Sequence, residues 1–453
     1  MKKLFGRPYS FQWILAVVVV FSTTMLAANR IHLYLCSRIP GIPCIPSWPI
    51  GIVFPRIPPE IGYPNALHLG IGAVSVLLFV LGLRLLPKAG YRLLVVGLFG
   101  FGLILATTLT HGWQFGLVRA TAGTGNMPQD YYQDALRISS PVEFLREFDE
   151  RQAELSIHSR THPPGAVLAF FYLHRLLGDP AVITIAIAGL ATGLSVLFLG
   201  LILAGAHQPA TVGRTLFLFL LIPAVQIYYA ASLDALIAPL VVGACVFLFA
   251  KSRAWLVVSF FCLTLASFLS FGTMFVVPVV LAFEYWRSRR PWRSLLLIGL
   301  VAGFYLALHA FFGFNYVRSF QVASALENPD GFRLFAQPGD YLMTRAEDVG
   351  EIVLFLGPFL LGLVLSGLMK TKARGELSVL SLLAIASFCA VLITGAYRTG
   401  ETARAALFLY PFLVLPAAGE LATLGDENAR YGRLAALVFC QALLMQLAGD
   451  YWW

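Results

Sequence analysis

Long apolar runs, separated by short polar segments, extend along almost the whole chain. A hydrocarbon core about 30 Å thick needs about 20 apolar residues per spanning helix. The runs do not alternate polar and apolar positions as barrel strands do, so helices are the expected structure. We predict an all-α polytopic membrane helix bundle, a single domain over residues 1–453. The thirteen predicted spans are 11–28, 65–86, 92–110, 182–204, 213–230, 235–250, 254–270, 272–286, 295–312, 351–368, 377–396, 405–421 and 432–449.

Composition and charge agree with a membrane protein. The chain is 58% hydrophobic and 12% charged, far from the values of soluble domains. Its first run is followed by only a weak cleavage site at Leu26-Ala27-Ala28, which favours an uncleaved anchor. All six lysines fall in segments on one side of the predicted membrane, the cytoplasmic side by the positive-inside rule. The positive charge is thus explained by topology, and no nucleic-acid partner is expected.

Residues 163–177 (PPGAVLAFFYLHRLL) are apolar but short. As a helix they reach only about 22 Å, and they contain His174 and Arg175. If they crossed, every later loop would invert, and RSRRPWR (287–293) would face outward. We therefore predict a short helix in the outer leaflet that does not cross, with the N-terminus cytoplasmic. The outer segments are then 29–64, 111–181 and 313–350.

The outer segments contain most of the candidate chemistry. Segment 29–64 is rich in proline, and its Cys36 and Cys44 lie on the side where a disulfide is possible. In segment 111–181, Ser140-Pro141-Val142-Glu143 has the spacing of a capping box and predicts the start of an interfacial helix. The same segment contains Asp130-Tyr131-Tyr132-Gln133-Asp134 and, further on, His162-Pro163-Pro164-Gly165. These two motifs place carboxylates and a rigid turn at the membrane surface.

These residues resemble the GT-C superfamily of integral membrane glycosyltransferases. The His-Pro-Pro turn resembles that of protein O-mannosyltransferases, and aminoarabinose transferases have a similar Lys-Pro-Pro. The stretch from Asp130 to Ala135 resembles one in the mannosyltransferases that build glycolipid anchors. The chain lacks the Asp-Glu pair of protein O-mannosyltransferases and shows no large C-terminal soluble domain. The resemblance covers architecture over most of the chain, but specific residues mainly within 129–165.

The resemblance implies transfer of a sugar from a polyprenyl-phosphate donor to a lipid, glycan or protein acceptor on the outer face. A carboxylate must accept the proton of the acceptor hydroxyl, and Asp130 is the first candidate base, followed by Asp134. The lipid-phosphate leaving group needs fixed cationic donors, for which arginine is suited. The candidate substrate-binding residues are Tyr131, Arg160, His162, Asp234, Arg345, Arg398, Glu401 and Arg404.

The same residue types also occur in simpler structural roles. Asp130 and Asp134 are typical of a solvated or capping pair, Asp234 of a helix N-cap, and residues 397–404 of an ordinary salt-bridged turn. A metal held by Asp130, Asp134, His158 and His162 is not favoured, and no cofactor is expected. A flippase or other transporter is the main rival, although the sequence shows neither discontinuous helices nor charged central spans. An acyltransferase with His162 as base is a weaker rival. The compact loops favour a bacterial inner membrane.

Overall fold

The chain forms an all-α bundle. The computed structural model describes residues 11–40, 42, 44, 54–55, 66–124, 127–250, 252, 254–329, 331–369, 375–397, 402–424 and 428–451. Within these residues, extended structure is limited to two antiparallel ladders of two residues per strand. They pair β1 (Phe54–Pro55) with β4 (Gly449–Asp450), and β2 (Gly123–Thr124) with β3 (Met127–Pro128). The prediction of an all-α fold is confirmed.

The helices of the first half lead from the N-terminal helix through the loop with the candidate motifs. Short 3-10 turns (Leu109–His111, Gln152–Glu154) and a π turn (Gln114–Val118) interrupt them. In chain order they are α1 (Phe11–Cys36), α2 (Ala66–Lys88), α3 (Leu93–Thr108), α4 (Arg119–Ala122), α5 (Asp130–Arg137), α6 (Pro141–Arg151), α7 (Ile157–Arg160), α8 (Gly165–Leu177), α9 (Pro180–Ala204), α10 (Pro209–Leu221) and α11 (Pro223–Ala231).

The second half continues in the same manner, with 3-10 turns at Phe271–Phe275 and Leu407–Leu409. Its helices are α12 (Asp234–Phe249), α13 (Trp255–Leu269), α14 (Val276–Ser288), α15 (Trp292–Phe312), α16 (Tyr316–Glu327), α17 (Arg333–Ala336), α18 (Pro338–Leu356), α19 (Pro358–Met369), α20 (Glu376–Ile393), α21 (Thr402–Ala405), α22 (Tyr410–Leu413), α23 (Leu415–Ala422) and α24 (Asn428–Ala448).

Six of these helices are long and apolar enough to cross a membrane, or eight if each of two bent pairs is one span. They indicate a membrane-embedded protein. The six are Ala66–Lys88, Leu93–His111, Pro180–Ala204, Trp292–Phe312, Glu376–Ile393 and Asn428–Ala448. Thirteen full-length spans are not confirmed, because several predicted spans, such as 235–250 and 254–270, are helices of only 15 or 16 residues.

Two predicted spans are broken helices. Residues 213–230 bend by 64° between α10 and α11, and residues 351–368 contain a 99° bend between α18 and α19. At both breaks a proline begins the second helix, where its missing N–H costs no hydrogen bond. Gly357 at the second break has φ +87°, a conformation that favours glycine. The sequence-based expectation that the chain has no discontinuous helices was wrong.

Several local predictions are confirmed. Ser140 caps α6, its Oγ accepting a hydrogen bond from the backbone N–H of Glu143 at 3.4 Å. The short helix after the His-Pro-Pro turn is α8, and Gly178, with φ +70°, ends it. A Cβ on Gly165 would overlap the backbone oxygen of Phe268, so glycine lets the start of α8 approach the end of α13. Cys36 and Cys44, whose pairing the sequence left open, form a disulfide.

The core lies around α10, α11 and α12, where almost every side chain is buried. A buried polar chain crosses this core. Thr107 Oγ1 donates to Gln226 Oε1 at 2.8 Å, Gln446 Nε2 donates to Gln226 O at 3.0 Å, and Gln446 Oε1 pairs with His111 Nε2 at 2.7 Å. Because polar groups in an apolar bundle must be paired, these hydrogen bonds fix α3, α11 and α24 relative to one another.

Candidate functional site

Both candidate carboxylates lie on α5, one turn apart. The side chain of Gln129 caps this helix, its Oε1 accepting from the backbone N–H of Asp130 at 3.1 Å. Asp130 is in the first turn and Arg137 in the last, as the helix dipole favours. The i, i+4 spacing read from the sequence therefore places both carboxylates on one helical face.

Both carboxylates accept hydrogen bonds from the backbone of residues 156–158. Asp134 is 3% exposed, and its Oδ2 accepts from Ser156 N at 3.0 Å while its Oδ1 pairs with Arg137 Nη1 at 3.3 Å. Asp130 is half-buried, and its Oδ2 accepts from His158 N at 2.8 Å. Its Oδ1 has no hydrogen-bond partner among the described residues, so Asp130 retains an oxygen that can receive a proton.

His162 is connected to Asp130 through this segment. Its Nδ1 lies 2.9 Å from the backbone oxygen of His158 and 3.4 Å from the Thr161 hydroxyl. Because a carbonyl only accepts, Nδ1 carries the proton of the neutral ring and Nε2 is left as an acceptor. The Tyr131 ring packs edge-on against the His162 ring, with centroids 5.3 Å apart. Tyr131, His158 and His162 thus form one surface beside Asp130.

Residues from distant parts of the sequence complete this surface. Burial lowers the pKa of His162. The negative charge of Asp234 and the hydrogen bond to the His158 backbone oppose this shift, whereas the charges of His158 and Arg404 add to it. Arg404 Nε lies 3.9 Å from Asp234 Oδ2. The Ser232 hydroxyl donates to Asp234 Oδ2 at 2.5 Å and accepts from Asp234 N at 3.0 Å. Asp234 is therefore not the N-cap: it is the first residue of α12, and its charge acts on His162.

Arg345 binds three backbone carbonyl oxygens in the segment that ends at Tyr397. Its guanidinium donates to the oxygens of Leu392, Ala396 and Tyr397, the last two at 2.6 and 2.7 Å, and pairs with Asp348 at 2.9 Å. Tyr397 has a left-handed φ of +65°, which these contacts hold in place. Burial, with the charges of Asp234 and Asp348, raises the pKa of the Tyr397 phenol. The Arg345 guanidinium therefore positions the backbone and Asp348, and these contacts occupy it.

Arg160 differs, because no described residue pairs with its guanidinium, and its Nε is buried. Gln152 Nε2 donates to Arg160 O at 2.8 Å and to Ser319 O at 3.0 Å, which brings the three residues together. The fully buried hydroxyls of Ser159 and Ser319 and the Gln152 Oε1 also have no hydrogen-bond partner in the described part of the chain. A cation and several polar atoms are thus available beside the His-Pro-Pro turn.

An acidic cluster in α18 was missed from the sequence. Glu347, Asp348 and Glu351 are each at most 2% exposed. Thr402 Oγ1 donates to Asp348, and Ala403 N donates to Glu351 Oε2 at 3.1 Å, so the cluster holds the start of α21 and with it Arg404. The predicted outer segment 313–350 includes Glu347 and Asp348, and few charges are expected inside the bundle. The i, i+4 spacing of Glu347 and Glu351 before an apolar run was the available signal.

Two predicted residues, Arg398 and Glu401, lie outside the described residues. In the part of the chain that is described, there is no group of three or more His, Cys, Asp or Glu side chains placed to hold a metal ion. Neither protein-family profiles nor the sequences of curated proteins match this chain. We call the cluster formed by Asp130, Tyr131, His162, Asp234 and Arg404 the outer cluster, because the topology predicted from the sequence puts Asp130 and His162 in an outer segment.

Proposed function

We propose that this protein is a membrane glycosyltransferase that moves a sugar from a polyprenyl-phosphate donor to an acceptor hydroxyl. The observation that carries the proposal is the outer cluster itself. Asp130, which has one oxygen that no described residue occupies, is linked through His158 to His162, and His162 is affected by the charges of Asp234 and Arg404. This series of contacts supplies a base, a positioning group and a cation, the groups that the transfer requires.

In the proposed reaction, the acceptor oxygen attacks the anomeric carbon as its proton passes to Asp130 Oδ1. The bond between that carbon and the phosphate oxygen breaks, and the polyprenyl phosphate leaves as an anion. Arg404 and Arg160 stabilise the charge that develops on the phosphate, since a guanidinium keeps its charge and binds phosphate oxygens in pairs. His162 and Tyr131 orient the sugar or the acceptor through Nε2 and the ring face.

The remaining site residues support this arrangement. Both oxygens of Asp134 are occupied, so we assign it to positioning residues 156–158 and with them His158 and His162. Arg345 fixes the backbone at Tyr397. Two roles stay predictions: Arg398 as a phosphate-binding residue, and Glu401 as a residue that orients the arginines. We further propose that the protein resides in a bacterial inner membrane with the outer cluster on the extracytoplasmic side. Membrane lipids surround the bundle.

Asp130→Asn tests the assignment, since it keeps an acceptor for His158 N but removes the base. We expect transfer of labelled sugar from a polyprenyl-phosphate donor to fall at least about 100-fold, with unchanged thermal unfolding and donor binding. Glu154→Gln, an exposed neutralisation in the same loop, is the matched control and should keep full transfer. Undiminished transfer in Asp130→Asn would overturn Asp130 as the base.

Transport of a lipid-linked sugar is the second candidate, and two observations favour it. Transporters use discontinuous helices and buried ionisable groups, and this chain has two bent helix pairs and the buried carboxylates of α18. Reconstituted protein should distinguish the functions. Movement of donor across a vesicle membrane that is equal in wild type and Asp130→Asn, with no transfer by either, would favour transport.

A further inference from the structure

A large cavity in the described structure lies away from the outer cluster. It has a volume of about 950 Å³ and is open to the surface. Most of its wall is apolar, and its polar groups are confined to a few side chains. The lining includes Leu201, His207, Phe247, Trp255, Arg287 and Gly419.

The cavity is at the opposite end of the helices that build the outer cluster. α12 begins at Asp234 in that cluster and ends at Phe249 in the cavity wall. Its 16 residues separate the two sites by about 24 Å. In α20 the direction is reversed, from Glu376 in the cavity wall to Ile393, near the carbonyls that Arg345 holds. The two sites therefore lie near opposite faces of the bundle.

A basic turn, residues Arg287 to Arg290, lies at the mouth of the cavity. Arg287 lines it, is 42% exposed on its side chain, pairs with Glu376 at 3.0 Å and donates to Phe249 O at 3.3 Å. Arg289, with φ +57°, ends α14, and the exposed Arg290 guanidinium has no partner among the described residues. Buried Glu284 holds the turn by accepting from the backbone N–H groups of Arg293 and Ser294. The turn thus presents positive charge from a fixed backbone.

Exposed aromatic residues show where this turn lies in the membrane. Trp255, Tyr285, Trp286 and Trp292 are all between 41 and 52% exposed and surround the same end of α13, α14 and α15. Tryptophan and tyrosine concentrate at membrane–water interfaces, where arginine meets lipid phosphates. The mouth of the cavity is therefore at headgroup depth, and its apolar interior is at acyl-chain depth.

We propose that this cavity is a binding site for an anionic phospholipid of the membrane leaflet opposite the outer cluster. An acyl chain occupies the apolar interior beside Phe247 and Gly419, and the headgroup phosphate binds Arg287 and Arg290. The cavity volume of about 950 Å³ is at the upper end of the range of ligand pockets, which leaves room for an acyl chain. An open apolar wall facing a bilayer is filled by lipid, and the basic turn selects the anionic headgroup. The site does not depend on the proposed transfer reaction.

Gly419→Leu tests the apolar part, because no heavy atom lies within 4 Å of a Cβ added there, so the side chain would enter the cavity. Gly299→Leu is the matched control: its Cβ position is equally open, but it lies on the exposed side of α15 and does not line the cavity. Delipidated protein is titrated with phosphatidylglycerol or phosphatidylcholine, and bound lipid is counted by native mass spectrometry. We expect at least about tenfold weaker phosphatidylglycerol binding in Gly419→Leu and unchanged binding in Gly299→Leu.

Arg290→Ala tests the headgroup part. It should reduce the preference of the wild-type protein for phosphatidylglycerol over phosphatidylcholine and leave binding of phosphatidylcholine unchanged. Equal binding of both lipids to the wild type would overturn anionic selectivity. Equal phosphatidylglycerol binding by Gly419→Leu and the wild type would overturn the cavity as the site, as would its occupation by polyprenyl phosphate in preference to phosphatidylglycerol.

Discussion

At the scale of single residues, Asp130 and Asp134 differ in how completely their oxygens are used. Both share a face of α5 and both accept a backbone N–H from the segment 156–158. Asp134 is buried with both oxygens occupied, whereas Asp130 is half-buried with one oxygen unoccupied among the described residues. A base needs an accessible oxygen within reach of the substrate, so the geometry favours Asp130.

Asp134→Ala should therefore act on stability first. The variant leaves the backbone N–H of Ser156 without its carboxylate, and a hydrogen bond to a charged group contributes about 1.5–3 kcal/mol. We expect a loss of this size in the free energy of unfolding, measured by denaturant titration in detergent micelles. The exposed Glu154→Ala should change it by less than about 0.5 kcal/mol. Equal stability of both variants would contradict the assignment of Asp134 to positioning.

His162 makes stability depend on pH. Its pKa in the folded protein lies below the ordinary value of 6.5, mainly because the ring is buried. Below about pH 6.5 the unfolded chain then binds more protons than the folded one, so the stabilisation present at higher pH is lost as the pH falls. His162→Asn keeps the donor to His158 O and should lose less stability than the wild type between about pH 7 and pH 5.

Thermal unfolding across this pH range measures the effect. His309→Asn is the control, because the exposed His309 also pairs through Nδ1 with a backbone oxygen, that of Gly313 at 3.1 Å. Its pH profile should match the wild type. If His162→Asn also matched the wild type, burial of His162 would not contribute to the pH dependence.

At the scale of helices, the bend between α18 and α19 shapes the region behind the outer cluster. α18 contributes Arg345 and the buried carboxylates, and the chain then turns by 99°. Gln441 Nε2 donates to Leu354 O at 2.8 Å, which anchors the end of α18 to α24. The left-handed Gly357 lies next to this contact, so the bend and the anchor depend on the same residue.

Gly357→Ala should destabilise the bundle for two reasons. Alanine is strained at φ +87°, and its Cβ would overlap the Gln441 side chain. We expect a loss of roughly 1–3 kcal/mol in the free energy of unfolding. Gly193→Ala, in the middle of α9 with no atom within 4 Å of the added Cβ, should be neutral or slightly stabilising. A neutral Gly357→Ala would show that the bend does not require glycine.

The sequence predicted those elements whose signals are local. The capping box at Ser140 and the short helix after His162 were read correctly because capping and proline geometry act within a few residues. The bend within residues 351–368 was missed because hydropathy does not report the direction of the chain, and Gly357-Pro358 was passed over as a break. The clamp by Arg345 involves a contact 52 residues away, which no local pattern encodes.

At the scale of the whole molecule, the outer cluster and the basic turn lie at opposite ends of the same helices, so the predicted side of one determines the predicted side of the other. α12 and α20 connect the two sites in opposite chain directions. The positive-inside rule assigns the turn at Arg287–Arg290 to the cytoplasm. This orientation depends on α8, whose 13 residues reach about 20 Å and contain His174 and Arg175. If α8 crossed the membrane, the basic turn would face the same side as the loop that precedes α8.

Single cysteines at two exposed positions decide between these orientations. In a variant whose four free cysteines are replaced by alanine, Glu154→Cys should react with a membrane-impermeant maleimide on intact cells. Arg290→Cys should react only after the cells are permeabilised, because the positive-inside rule predicts that its loop is cytoplasmic. Labelling of both positions on intact cells would mean that α8 crosses. Labelling of Arg290→Cys alone would invert the whole bundle and put the outer cluster in the cytoplasm, where an extracytoplasmic acceptor cannot reach Asp130.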